Sequence, residues 1–140
     1  IDIDAPLSLM PSTIVHELAH QRAVASEQEA NFIAVKISTE SGCPAYVYSG
    51  WLLGYIYLNN ALYAADYERF ERVYGELSDL VRLDLADNSA YWKQFESVVS
   101  DIADQITDQR LKNYGQEQGI QSYGAVVDLL VAYYGGRAAE

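Results

Sequence analysis

The two histidines of this 140-residue chain fall four positions apart, in His16-Glu17-Leu18-Ala19-His20. That is the H-E-x-x-H pattern of zinc proteases. On a helix, positions i and i+4 share a face one turn apart, so both imidazoles can reach one metal ion. Glu17 lies about 100° round the helix from His16, where it can reach a metal-bound water without taking a metal position. The bland alternative is a pair of surface or core histidines on an amphipathic helix.

Catalytic zinc usually takes three protein ligands and keeps one position for water. The chain has no third histidine and a single cysteine, Cys43, so the missing ligand should be a carboxylate. Glu27 and Glu29 are the nearest acids after the motif. Ser26 with Glu29 three residues on is a capping box for a second helix, which gives Glu29 a structural role. Glu27, at the first helical position and facing back toward the previous helix, is therefore the favoured third ligand. Either acid also suits a helix N-terminus in its own right. Asn31 lies four residues after Glu27 on the same face, placed for a hydrogen bond to a ligand. Glu40, Asp66 and Glu68 are further acids that a fold can deliver. A donor for a developing oxyanion is also needed; Tyr48 is the first choice, with Tyr46 and Tyr123 as alternatives.

The elements that must position these groups read as helices. A first helix runs from a cap at Ser12 or Thr13 to about Ala25, with Ile14, Leu18 and Val15 on its apolar face. A second runs from Ser26 to Ser41-Gly42, with Ala30, Ile33 and Ile37 as its stripe. Pro44 opens a third, and Tyr46 to Ala65 forms a core helix. Ser49, Asn59, Asn60 and scattered tyrosines interrupt the roughly 20 apolar residues that a membrane span needs. A fourth helix starts at Asp66 and carries Phe70, Val73, Leu77, Leu80 and Val81. Asp87-Asn88-Ser89 reads as a turn and cap. A fifth helix follows with Trp92, Phe95, Val98, Val99, Ile102 and Ile106. Gly115 to Gly119 reads as a loop, and a last helix spans about Ser122 to Tyr134, stopped by Gly135-Gly136. Ile1 to Asp4 alternates apolar and acidic residues like a short strand, able to pair with an upstream strand or an extended peptide. The expected fold is mainly α, a compact bundle of about six helices with at most one short N-terminal strand, in a single domain over residues 1–140.

Composition narrows the function classes. Half the residues are apolar and 12% aromatic, as in a globular domain. The formal net charge of −11 disfavours nucleic acid and anionic membrane surfaces, which call for clustered Lys and Arg. A lone cysteine provides neither a disulfide framework nor a thiolate metal cluster. The chain has no initiator Met and opens inside a strand-like pattern, so it reads as a fragment of a longer protein.

Several segments together resemble a bacterial family of membrane-anchored, zincin-like proteins of unknown function. They are His16-Glu17-Leu18-Ala19-His20-Gln21, Glu27-Gln28-Glu29-Ala30-Asn31-Phe32, Tyr48-Ser49-Gly50 and Tyr91-Trp92. Toward the C-terminus come Leu111-Lys112-Asn113, Gln116, Gly119, Ser122-Tyr123-Gly124 and Val127-Asp128-Leu129-Leu130. The resemblance spans nearly the whole chain; the family often has Gly where this chain has Ala23. The Glu-x-x-Ala-Asn segment is also similar to a Glu-x-x-Ala-Asp segment of membrane-embedded zinc proteases. There the first Glu is the third zinc ligand, which by position implies Glu27. The resemblance implies a zinc metallopeptidase with Zn2+ on His16, His20 and Glu27, Glu17 as general base, and a peptide or protein substrate. It also implies a membrane-anchored parent protein, this fragment itself not inserting into the membrane. A zinc hydrolase of another amide and a non-catalytic helical binding module are the alternatives.

Overall fold

The computed structural model describes residues 4–103 and 117–137, the side chains of 96–103 and 117–123 excepted. Six helices and no strand occur among the described residues, as the sequence predicts: α1 Met10–Gln21, α2 Glu27–Glu40, α3 Pro44–Ala65, α4 Tyr67–Gly75, α5 Asp79–Ala103 and α6 Glu117–Tyr134. The strand expected at Ile1 to Asp4 falls largely outside the described residues; Asp4 itself lies in a turn. No described helix is long and apolar enough to cross a membrane.

The centre of the structure is α2, which contacts α1, α3 and α6. Its buried residues are Ala30, Ala34, Val35 and Ser38, not the expected line of Ala30, Ile33 and Ile37; Ile37 is half exposed. The reason is steric. Three small residues at i, i+4 and i+8 let neighbouring helices come close, and a row of isoleucines would hold them off. On the α3 side Gly50 completes this approach, since a Cβ there would sit 2.7 Å from the Ser38 Cβ. Val35, Val126 and Leu130 form the core cluster, with Phe32, Leu53, Tyr57 and Tyr134 packed around it. Removing each such aliphatic side chain from water stabilises the fold by about 1.5–3 kcal/mol.

The helix ends follow local chemistry. Ser26 caps α2, its Oγ accepting from the Glu29 amide at 3.4 Å, and Glu27 and Glu29 occupy the first turn, where the macrodipole favours acids. Pro44 opens α3. Asp66 caps α4 by accepting from the Arg69 amide at 3.0 Å.

Four boundaries differ from the sequence expectations. First, α1 starts at Met10, so Ser12 and Thr13 lie inside it; their hydroxyls turn back onto the Leu9 carbonyl at 2.9 and 3.0 Å. Its buried face is Ser12, Val15 and Ala19, while Leu18 stands out at 48% exposure. Second, α1 ends at Gln21, four residues early. Third, the helix expected to begin at Asp66 breaks after Gly75, and α5 runs unbroken through Asp87-Asn88-Ser89. The turn-forming side chains there are occupied within the helix: Ser89 donates to the Leu85 carbonyl at 3.0 Å and Asn88 accepts from the Trp92 indole at 3.1 Å. Fourth, α6 begins by Glu117 and passes through Gly119 rather than starting near Ser122. The expectations for Val98, Val99, Ile102 and Ile106 as buried residues lie outside the described side chains.

Candidate metal centre

His16 and His20 project from consecutive turns of α1, and Glu27 from the first turn of α2. The path between the two helices is a tight reversal. The Ala23 amide donates to the His20 carbonyl and the Val24 amide to the Ala19 carbonyl, both at 3.1 Å. This is the Schellman closure of a helix C-terminus, with Ala23 in the left-handed region at φ 68°. The turn does two things. It returns the chain so that Glu27 faces the α1 histidines, and it aims the Val24 carbonyl at His20 Nδ1, 2.8 Å away. A carbonyl only accepts, so the proton sits on Nδ1 and the lone pair of the neutral ring is on Nε2.

The three groups meet closely. His16 Nε2 and His20 Nε2 are 3.0 Å apart. Glu27 straddles them, with Oε2 3.4 Å from His16 Nε2 and Oε1 3.2 Å from His20 Nε2. Among the described residues these are the metal-ligating side chains that converge in this way. With one ligand atom taken from each residue, all three lie within 4.8 Å of one another, close enough for a single ion to draw them in to bonds of about 2.0–2.2 Å. The His20 Nε2 lone pair faces His16 Nε2 at 3.0 Å, where either a proton on His16 Nε2 or a shared cation can engage it. The histidine side chains are 17% and 27% exposed and Glu27 66% exposed, so the triad is walled by protein on the histidine side and open on the Glu27 side.

The other sequence candidates are placed as follows. Glu29 stays at the cap of α2 and does not join the triad. Glu40 pairs with Lys36 at 2.9 Å, accepts from Tyr133 and faces Arg137 at 3.8 Å. The Tyr133 hydrogen bond, then Lys36, hold its carboxyl below the usual range. Asp66 pairs with Arg69 and Glu68 with Arg72. Glu17 and Asn31 line a cleft of about 350 Å³ that also reaches His16.

The Tyr48-Ser49-Gly50 segment serves packing. The Tyr48 hydroxyl donates to Asp84 on α5, and burial, reinforced by Asp84, pushes it up to about 12. It is not among the residues lining the cleft. Ser49 Oγ donates to Ser12 Oγ at 2.9 Å and accepts from the Ser12 amide at 3.0 Å, with both residues fully buried. This pair ties α1 to α3 one turn before His16. Tyr46 lies in the first turn of α3, and the Tyr123 side chain lies outside the described residues.

Sequence reasoning passed over Tyr57, Asn88 and Trp92 as cleft residues. For Trp92 a signal existed, since Asn88 and Trp92 stand at i and i+4. That α5 folds over the cleft is a tertiary fact with no local trace.

No curated protein and no solved structure matches the chain. The chain belongs to a protein family of unknown function, DUF3810, whose model matches residues 1–131.

Proposed function

We propose that the protein is a zinc-dependent metallopeptidase, with His16, His20 and Glu27 as metal ligands and Glu17 as general base. The observation that carries this reading is the convergence of His16, His20 and Glu27, with one ligand atom from each within 4.8 Å of the others, beside a cleft lined by Glu17. Bound there, zinc would lower the pKa of a water toward about 7 and polarise a substrate carbonyl. The chain's own groups account for the rest. The Val24 carbonyl holds the His20 ring in the tautomer that presents Nε2. Glu17, one position after the first histidine, is exposed toward the cleft and free of a helix-capping role. It is suited to take a proton from the attacking water and pass it to the leaving amine. The cleft that reaches His16 and Glu17 provides the approach for substrate. A closed four-ligand shell would instead indicate a structural ion, and no fourth His, Cys, Asp or Glu joins the triad among the described residues.

The test combines metal content with cleavage. Purified protein should bind one zinc per chain, and His16→Ala should lose it. Glu17→Gln should keep the metal and cut a peptide library about 10²–10⁴-fold more slowly, the range of a general base. Stoichiometric zinc on His16→Ala refutes the site. Zinc-loaded wild type that cuts no member of a library of peptides refutes the peptidase assignment, and cleavage of cell-wall amide fragments in the same screen would redirect it to another amide.

A further inference from the structure

The walls of the cleft beside His16 and Glu17 are mainly apolar, formed by Leu9, Leu53, Ile56, Tyr57 and Trp92. Trp92 stands apart from the others. It is 59% exposed, so it is not a core residue. Yet its ring is held: Nε1–H donates to Asn88 Oδ1 one turn earlier at 3.1 Å, and Tyr91 and Phe95 rings lie 5.3 and 6.0 Å from it. The hydrogen bond satisfies the indole N–H, so the ring offers the cleft an apolar surface. A large aromatic surface held toward water beside reactive groups is poorly explained by folding alone, because exposure forgoes the burial that stabilises such a side chain. The cleft, at about 350 Å³, is at the small end of ligand pockets. It has room for one or two side chains, not for a folded partner.

We propose that Trp92 is a specificity-determining residue whose indole forms the α5 wall of a subsite for a large apolar, preferentially aromatic, side chain of a peptide substrate. This rests on the metallopeptidase reading for its catalytic meaning, but the subsite itself can be examined without metal.

Trp51→Phe leaves Trp92 as the sole tryptophan, since the chain has two. This variant, metal-free, is titrated with end-blocked pentapeptides that differ only at a central Phe, Leu, Ala or Lys, and indole emission is followed. The Phe peptide should shift the emission saturably and bind at least about tenfold more tightly than the Ala peptide. No shift, or equal affinity across the four, overturns the proposal. On zinc-loaded protein, Trp92→Ala should lower kcat/KM for Phe-containing peptides about 10- to 100-fold. Zinc affinity and the rate on Ala-containing peptides should stay within about twofold, and Trp92→Phe should restore most of the loss. Selective binding of the Phe peptide by a protein that cuts nothing removes the peptidase reading and keeps the subsite. Cleavage without preference for large apolar residues does the reverse.

Discussion

Ala23 gives the sharpest quantitative prediction. It occupies the position after the C-terminus of α1 with φ 68°, and the two hydrogen bonds of the turn depend on that conformation. An L-residue in the left-handed region costs about 1–2 kcal/mol, because Cβ crowds the carbonyl oxygen. Glycine removes that cost but gives the unfolded chain more freedom, about 0.4–1 kcal/mol in the other direction. Ala23→Gly should therefore stabilise the fold by about 0.5–1 kcal/mol. With an unfolding entropy of about 2.1 cal/mol/K per residue over this chain length, that raises Tm by about 2–3 °C. Ala23→Val should act oppositely and lower Tm by more than the glycine raises it, since a β-branched residue is a poor fit at positive φ. Circular dichroism melts of the metal-free proteins measure both. The Val24 carbonyl that fixes His20 is part of the same turn, so Ala23→Gly should bind zinc at least as tightly as wild type. A glycine variant that melts no higher than wild type, together with a valine variant that melts no lower, refutes the left-handed turn and with it the account of how Glu27 is brought to the histidines.

Glu27→Gln should weaken zinc binding by more than the roughly 10–100-fold that loss of an outer hydrogen-bond partner costs, whereas Glu29→Gln should leave it within twofold; calorimetric titration separates the two. Gly50→Ala places a Cβ 2.7 Å from Ser38 Cβ and 2.9 Å from the Thr39 amide nitrogen, so α2 and α3 must move apart. Overpacking of this kind costs about 1–3 kcal/mol, a fall in Tm of about 3–10 °C. Tyr48 titrates near 12 in the folded chain against about 10 unfolded. Its contribution is present below pH 10 and is lost as pH rises through the window from 10 to 12, because the folded state there holds a proton the unfolded state has released. Urea midpoints across that range should fall less steeply for Tyr48→Phe than for wild type.

Local chemistry made much of this protein legible before any coordinates. The i, i+4 histidines with Glu17, the Ser26 cap that accepts from the Glu29 amide, and Pro44 at the start of α3 are short-range patterns whose physics is complete within one or two turns. The helical class follows from the same periodicities. Other features depend on what lies across the interior. Ala30, Ala34 and Ser38 look unremarkable in sequence, yet they form the buried face of α2 because Gly50 and its neighbours approach so closely. Ser12 looks like a helix cap but is a buried tie to Ser49, 37 residues away. Asp87-Asn88-Ser89 looks like a turn, but the Asn88 and Ser89 side chains find partners inside α5 and the helix continues. Tyr48 reads as an oxyanion donor in sequence, but its hydroxyl donates to Asp84.

The sequence by itself determined which side chains are able to bind a metal, because donor type and helical spacing are local properties. Only the tertiary structure decided that Glu27 meets both imidazoles, that the Val24 carbonyl sets the His20 tautomer and that Trp92 walls the cleft. Those depend on a left-handed turn at Ala23 and on the packing of helices distant in the chain, where the direction of approach is fixed by close contact and not by local preference.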